Sequence, residues 1–304
     1  MKKREAIDLI EMPLDELMLA ADEVRRNNRR SSLDLCAIVN AKSGICCEDC
    51  RFCAQSSWHR TEVKPYPLMS EEEILEAARK GKKAGAKRVG IVTSGKSPDM
   101  SEVERISSAI KKFPKEGILP CASLGEIPER ALGILKEAGL KRYHHNVETS
   151  EKFYPNIVTT HTYRDRVRTI LSVKNSGMEI CSGGIFGLGE SWFDRVDMAF
   201  ELKELEVDSV PINFLMPIKG TPMEGKQLIS ASDALRTIAL FRLILETPVI
   251  KVAAGRENVF KNMQKMIFSS GADGMMVGGY LTVPGVDMIS DKSLIEEITV
   301  SWRD

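Results

Sequence analysis

The sequence predicts an α/β chain folded as a (β/α)8 barrel of the TIM type, with an N-terminal helical extension. Three observations carry that expectation. From Leu33 onward, short β-branched or apolar runs alternate with amphipathic helical segments, which is the beat of a parallel sheet. Eight such runs qualify as strands, the number that closes a barrel. The chain has 304 residues and 43% hydrophobic content, a length that suits two ordinary domains or one large barrel. No linker, low-complexity tract or internal repeat divides it.

The elements follow in order. Residues 1–32, beginning "MKKREAIDLIEMPLDELMLAADEVRRNN", read as a helical extension, and residues 33–304 as one barrel domain. Strands are expected at "LDLCAIVN" (33–40), "RVGIVTS" (88–94), "ILPCAS" (118–123) and "RYHHNV" (142–147). Four more are expected at "EICSG" (179–183), "SVPIN" (209–213), "VIKVAA" (249–254) and "GMMVG" (274–278). Between them, "SEEEILEAARKGKKAGA" starts a helix at Ser70, where Glu73 completes a capping box and Gly85 supplies the stop. Further helices start near Ile127, Tyr163 and Ser230.

Composition excludes several functions. The 43 basic and 43 acidic residues cancel, so no strong field draws in nucleic acid or an anionic membrane surface. A small-molecule substrate is expected. The N-terminus is charged throughout and has no unbroken apolar stretch, so neither a secretion signal nor a membrane anchor is expected. A cytoplasmic location follows, where disulfides do not persist, and the odd count of seven cysteines also leaves one unpaired. Metal binding or catalysis is then the expected use of the thiols.

Four of those thiols crowd into "NAKSGICCEDCRFCAQSS", residues 40–57. Cys46, Cys50 and Cys53 form C-x3-C-x2-C on the loop after the first strand. A structural zinc wants four ligands, and no second C-x2-C or histidine pair follows at a suitable distance. Three thiolates suit an iron–sulfur cube instead, holding three irons and leaving the fourth open.

With Phe52 one residue before Cys53, the C-x3-C-x-aromatic-C pattern resembles the radical S-adenosylmethionine enzymes. Within them, the chain is similar to the biotin synthase family from about Leu33 to about Val283. The matching stretches are "NAKSG", "EDCRFCAQS", "HHNVETS", "YPNIVTTHTYRDRV", "CSGGIFGLGE", "VPINFL", "KGTP" and "AAGRE". The resemblance implies a [4Fe–4S] cluster on Cys46, Cys50 and Cys53, whose open iron chelates S-adenosylmethionine. One electron, from a donor such as flavodoxin or ferredoxin, then yields a deoxyadenosyl radical that activates dethiobiotin, and sulfur enters in two steps. It also implies roles for single residues. Glu148 would bind the ribose hydroxyls and Arg166 the methionyl carboxylate of S-adenosylmethionine. Phe52 would border its adenine, with Ile185 packed against that ring. Asn146 and Asn213 would meet the ureido ring of the substrate, and a homodimer is expected.

Two positions depart from that family's pattern. A second, auxiliary cluster is held there by three strand cysteines and an arginine. Cys121 and Cys181 match, but the remaining positions fall on Gly90, which has no side chain, and Lys251, a poor ligand when protonated. Cys36 lies on the first strand, and two-residue alternation points it inward with Cys121 and Cys181, so an auxiliary iron–sulfur cluster of a different type is expected on these three. Cys36 also reads as a small buried hydrophobe, and Cys47 as an extra ligand or a plain loop residue. Arg166 and Glu148 also read as ordinary surface charges. Two other functions stay open: a related radical enzyme, of the maturase or methylornithine synthase type, that inserts no sulfur, and a zinc-binding structural module.

Overall fold

The computed structural model describes residues 1–28, 30, 32–282 and 288–302. Val283 and Asp304, the limits set for the resemblance and for the barrel domain, lie outside the described residues. Among the described residues nine strands form one sheet: β1 Asp34–Lys42, β2 Arg88–Thr93, β3 Leu119–Ser123, β4 Arg142–His144, β5 Glu179–Cys181, β6 Gly184–Phe186, β7 Ser209–Phe214, β8 Val249–Val252 and β9 Gly274–Met276. Neighbours run β5-β4-β3-β2-β1-β9-β8-β7-β6, and β5 also pairs with β7, closing the ring. Every strand pairing is parallel. The barrel is the expected one.

The difference lies at the fifth expected strand, 179–183, where β5 ends at Cys181 and a separate short strand, β6, follows at Gly184–Phe186. Sterics explain the break. A Cβ on Gly183 would lie 2.0 Å from the Pro211 carbonyl oxygen, and one on Gly184 would lie 2.2 Å from that of Glu148. Only glycine lets the chain come so close to both neighbours. Ser182 N–H then donates to Ser209 O at 2.9 Å and Ile185 N–H to Glu148 O at 2.9 Å, so β5 and β6 together occupy one place in an eight-membered ring. Four strands end two or three residues earlier than expected: β4 at His144, β5 at Cys181, β8 at Val252 and β9 at Met276.

The burial pattern of β1 shows how the barrel is filled. Leu35, Ala37, Val39 and Ala41 are buried beneath the helices, while Cys36 and Ile38 line an internal cavity. Outward residues are thus covered by the helical layer, and inward ones keep open space. The helices start as the sequence prescribes. Ser70 accepts the Glu73 N–H and Glu73 returns a bond to the Ser70 N–H at the head of Glu71–Lys83. Thr162 and Ser191 form the same box with Asp165 and Asp194.

The N-terminal helix Leu14–Asn27 lies on the outside of the barrel. Its Leu17 and Ala21 are fully buried against Ala239 and Leu240 of the helix Ala231–Leu245, giving that helix a second buried face. The ring of Trp302, in the C-terminal helix Met288–Trp302, lies 4.2 Å from the Arg25 guanidinium, and its indole N–H donates to Arg30 O at 3.0 Å. Below the strands, fully buried Arg242 and Asp273 pair, and Asp273 also accepts the Ile250 N–H at 2.9 Å. Among the described residues no helix is long and apolar enough to cross a membrane.

Candidate active site

The cavity inside the barrel measures about 350 Å³. Its wall runs from the loop holding Phe52 and Cys53, past Asn146, Glu148, Ile185 and Asn213, down to Cys36, Cys121 and Cys181. Loop residues after the strands sit at its upper end, where barrel enzymes place their chemistry.

The cysteine loop is tied down by its own backbone hydrogen bonds. Cys46 N–H donates to Gln55 O at 3.0 Å, Cys53 N–H to Cys50 O at 2.9 Å, and Ser57 N–H to Cys46 O at 2.8 Å. Two carboxylates anchor it from outside. Asp49 accepts from the N–H groups of Thr159 and Thr160 at 2.9 and 3.2 Å, and buried Glu48 takes the Thr160 hydroxyl and meets His161 Nδ1. Burial works against the Asp49 charge, yet its bonds to Thr159 and Thr160 outweigh burial and bring its pKa down to about 2.

The three thiols have the opposite bias. Burial, reinforced by their mutual repulsion, pushes Cys50 up strongly and Cys53 to about 11, and burial also raises Cys46. The charge of Arg166 favours the Cys50 thiolate but does not outweigh burial, so a metal that displaces the protons of the three thiols would supply that stabilisation. Among the described residues no three His, Cys, Asp or Glu side chains surround one point as a single ion requires. Cys46, Cys50 and Cys53 would instead hold an iron–sulfur cluster, which would supply an electron to a bound cofactor. Cys53 and Phe52 reach the cavity wall; Cys46 and Cys50 lie behind it. Cys47 is exposed and lies off that wall.

Glu148 stands at φ +70°, a costly conformation for a side chain of its kind. The turn is held by Glu148 N–H donating to Gly183 O at 3.1 Å and by the Ile185 bond. Its carboxylate accepts from Asn146 Nδ2 at 3.2 Å and lies 3.8 Å from Arg166. Asn146 Oδ1 accepts the Gly183 N–H at 3.1 Å. Asn213 donates to Gly184 O at 3.1 Å and accepts from Ala254 N–H at 3.2 Å. Each amide thus commits one donor and one acceptor within the protein, keeping one N–H and one lone pair free for a ligand. Arg166 is not on the cavity wall. It sits behind Asn146 and Glu148, donating to Asn146 O at 2.9 Å and to the Tyr154 hydroxyl at 2.7 Å.

Deeper down, Cys36, Cys121 and Cys181 line one space with Gly90 between two of their strands, since Gly90 pairs with Ile38 on β1 and with Cys121 on β3. A Cβ on Gly90 would come no nearer than 3.6 Å to any neighbour, so nothing steric demands glycine there. Burial raises the Cys181 thiol, but a hydrogen bond from His144 and the charges of His144, Arg142 and Lys251 reverse this and bring it to about 7. Burial pushes Cys121 up to about 12 and also raises Cys36. Lys251 places Nζ 2.6 Å from Asp34, an arrangement that keeps the amine protonated.

Arg88, Arg142 and His144 also line this depth, and sequence reasoning gave them no role. The signal was present in "RYHHN": Arg142, His144 and Asn146 fall on one face by two-residue alternation, so the placement of Asn146 carries the other two inward. The other histidines lie elsewhere. His145 is buried, His59 Nε2 meets Cys50 O at 3.0 Å, and His161 serves Glu48.

Comparison with known proteins agrees with this geometry. The family model for the Radical SAM superfamily matches residues 41–202, and that for the Biotin and Thiamin Synthesis associated domain matches residues 211–300. A biotin synthase of Thermotoga neapolitana is 54% identical over 270 residues, covering 88% of this chain and 96% of that protein. One of Thermotoga petrophila is 52% identical over 298 residues, covering 97% and 98%. Among solved structures, methylornithine synthase has a TM-score of 0.83 at 19% identity, covering 98% of this chain and 92% of that one. The FeFe-hydrogenase maturase HydG from Carboxydothermus hydrogenoformans has a TM-score of 0.81 at 18% identity, covering 99% and 74%. At those identities the two structures speak for the barrel fold alone. The relatives that share half the sequence decide between the readings left open above, and the chain belongs to the biotin synthase family of radical S-adenosylmethionine enzymes.

Proposed function

We propose that this protein converts dethiobiotin to biotin, with Cys36, Cys121 and Cys181 holding an auxiliary iron–sulfur cluster that donates the sulfur. The observation that carries this reading is the shared cavity: one continuous wall includes Phe52 and Cys53 above, Asn146 and Asn213 midway, and the three deep cysteines below. A small substrate between the two ends touches both. When bound, the cluster on Cys46, Cys50 and Cys53 supplies the electron that cleaves S-adenosylmethionine and so starts hydrogen abstraction.

The protein's own contribution is binding, orientation and exclusion of water. Glu148 accepts the ribose hydroxyls, and its backbone oxygen fixes Ile185 beside the adenine, which Phe52 borders. Arg166 orients Asn146 and Glu148 from behind, and the guanidinium donors it keeps free are offered to the methionyl carboxylate. Asn146 and Asn213 present their free N–H and carbonyl positions to the ureido ring, whose neutral donors and acceptors they match. The apolar wall formed by Ile38, Met216 and Ile218 keeps water from a reactive carbon centre. A flavodoxin or ferredoxin serves as electron donor, the protein works in the cytoplasm as a homodimer, and residues 1–32 form an extension of a single barrel domain from 33 to 304.

The test is anaerobic incubation of iron–sulfur-reconstituted protein with dethiobiotin, S-adenosylmethionine and a strong reductant, followed by mass spectrometry. Biotin together with 5′-deoxyadenosine is expected. Deoxyadenosine without biotin, in protein carrying both clusters, would overturn the substrate assignment. Cys121→Ala and Cys181→Ala are each expected to abolish biotin formation, and full activity in both would overturn the auxiliary site.

A further inference from the structure

Beneath the deep cysteines lies a layer of cations that the sulfur chemistry does not itself require. Arg88, Arg142 and Lys251 line the same cavity as Cys36, Cys121 and Cys181, with side chains only 12%, 7% and 4% exposed. Their counter-charges stand at the N-terminal ends of the strands. Asp34, the first residue of β1, pairs with Lys251 at 2.6 Å. Glu179, the first residue of β5, pairs with Arg142 at 2.7 Å and with Arg88 at 3.4 Å.

Two carboxylates thus face three cations, and one positive charge is left over in a buried place. The excess has a direction. Nη1 of Arg88 and Nη1 of Arg142 are both buried without an acceptor among the described residues. An unsatisfied buried guanidinium N–H is costly, and two in one chamber mark a missing anion. The strand register brings the groups together: Arg88 pairs with Cys36, Arg142 with Cys121, and His144, two residues after Arg142, with Cys181. The charges of Arg142 and Lys251 bear on all three thiols, and that of Arg88 on Cys121.

We propose that Arg88, Arg142 and Lys251 form a cationic cradle that grips the auxiliary iron–sulfur cluster by charge and by N–H···S hydrogen bonds, without any of the three ligating iron. The inference rests on the auxiliary-cluster reading above. Three thiolates around an iron–sulfur core of double positive charge leave a net negative body, and each added electron deepens that charge. The cradle neutralises it and supplies donors to its sulfur atoms, the surrounding that favours the reduced state of a cluster. Lys251 therefore replaces the missing arginine as a fixed positive charge rather than as a ligand. Its pairing to Asp34 is what denies iron its lone pair.

The test is a redox titration of reconstituted protein, following the auxiliary cluster by electron paramagnetic resonance, with iron and sulfide analysis of each sample. The variants are Arg142→Met and Lys251→Met, each of which removes one positive charge from the cavity lining. Both are expected to keep the wild-type iron content, to shift the auxiliary midpoint potential to more negative values, and to lose the cluster to a chelator several-fold faster. Arg142→Lys is expected to restore most of the shift. The signal of the cluster on Cys46, Cys50 and Cys53 should not move, which separates the effect from general unfolding. An unchanged potential and chelation rate in both variants would overturn the cradle while leaving the auxiliary cluster in place. Wild-type protein with iron for one cluster only would overturn the auxiliary-cluster reading, and the cradle with it.

Discussion

Single glycines in this chain carry unequal weight, although the sequence prints them alike. Gly184 has the Glu148 carbonyl oxygen 2.2 Å from where a Cβ would sit, whereas Gly90 has no atom nearer than 3.6 Å. Gly184→Ala is therefore expected to cost about 1–3 kcal/mol of stability in denaturant unfolding, because a methyl group there displaces the backbone. Gly90→Ala is expected to gain about 0.5–1 kcal/mol, the usual effect of removing glycine from a strand interior. The sequence could not separate the two, because the atoms that crowd Gly184 belong to a turn 36 residues earlier. Glu148 is a second case at this scale. It holds a left-handed backbone while its carboxylate is shared between Asn146 and Arg166. If it carries the ribose of S-adenosylmethionine as proposed, Glu148→Gln should raise the cofactor's dissociation constant about tenfold or more, the worth of one hydrogen bond to a charged acceptor. Isothermal titration of reconstituted protein checks this.

At the scale of elements, the loop after β1 and the segment Thr159–His161 behave as one unit, because Glu48 and Asp49 clamp the first to the second. The same segment leads through Thr162 into the helix Tyr163–Asn175, which carries Arg166. Placement of the cysteines and of that arginine is thus linked through two carboxylates. Asp49→Ala is expected to lower iron retained by the three loop cysteines by at least half after desalting. It also has a pH signature. The Asp49 pKa falls from an ordinary 3.8 to about 2 in the folded protein, so the unfolded chain binds its proton more tightly. The stability it contributes is fully present above about pH 4 and is lost as pH falls from there toward 2. The difference in unfolding free energy between wild type and Asp49→Ala should shrink across that window. Much at this scale was legible in advance. The capping pair Ser70–Glu73 and the β-branched runs are local signals, and they mark element starts within a residue or two. The break between β5 and β6 was not, since it depends on neighbouring strands meeting the glycine pair.

For the molecule as a whole, the alternation of strands and helices made the barrel readable, while its underside was hidden. The Arg242–Asp273 pair joins the helix before β8 to the residue before β9, and neither end of that link carries a sequence signal. Both side chains are fully buried, so Asp273→Ala leaves an uncompensated guanidinium and is expected to cost about 3–5 kcal/mol, read as a lower midpoint in urea. Arg30 lies 3.1 Å from the same carboxylate, and Trp302 binds Arg30 O, so the two ends of the chain meet at that point as well. The ion pairs of Lys251 with Asp34 and of Arg142 with Glu179 seal the cavity from below. A vessel closed at the base and entered from above is filled and emptied in sequence. If Cys36, Cys121 and Cys181 hold the auxiliary cluster as proposed, it must be delivered before cofactor and substrate take the upper positions. Replenishing it after a turnover requires those occupants to depart, so repair of the deep site and synthesis at the upper one are mutually exclusive in time.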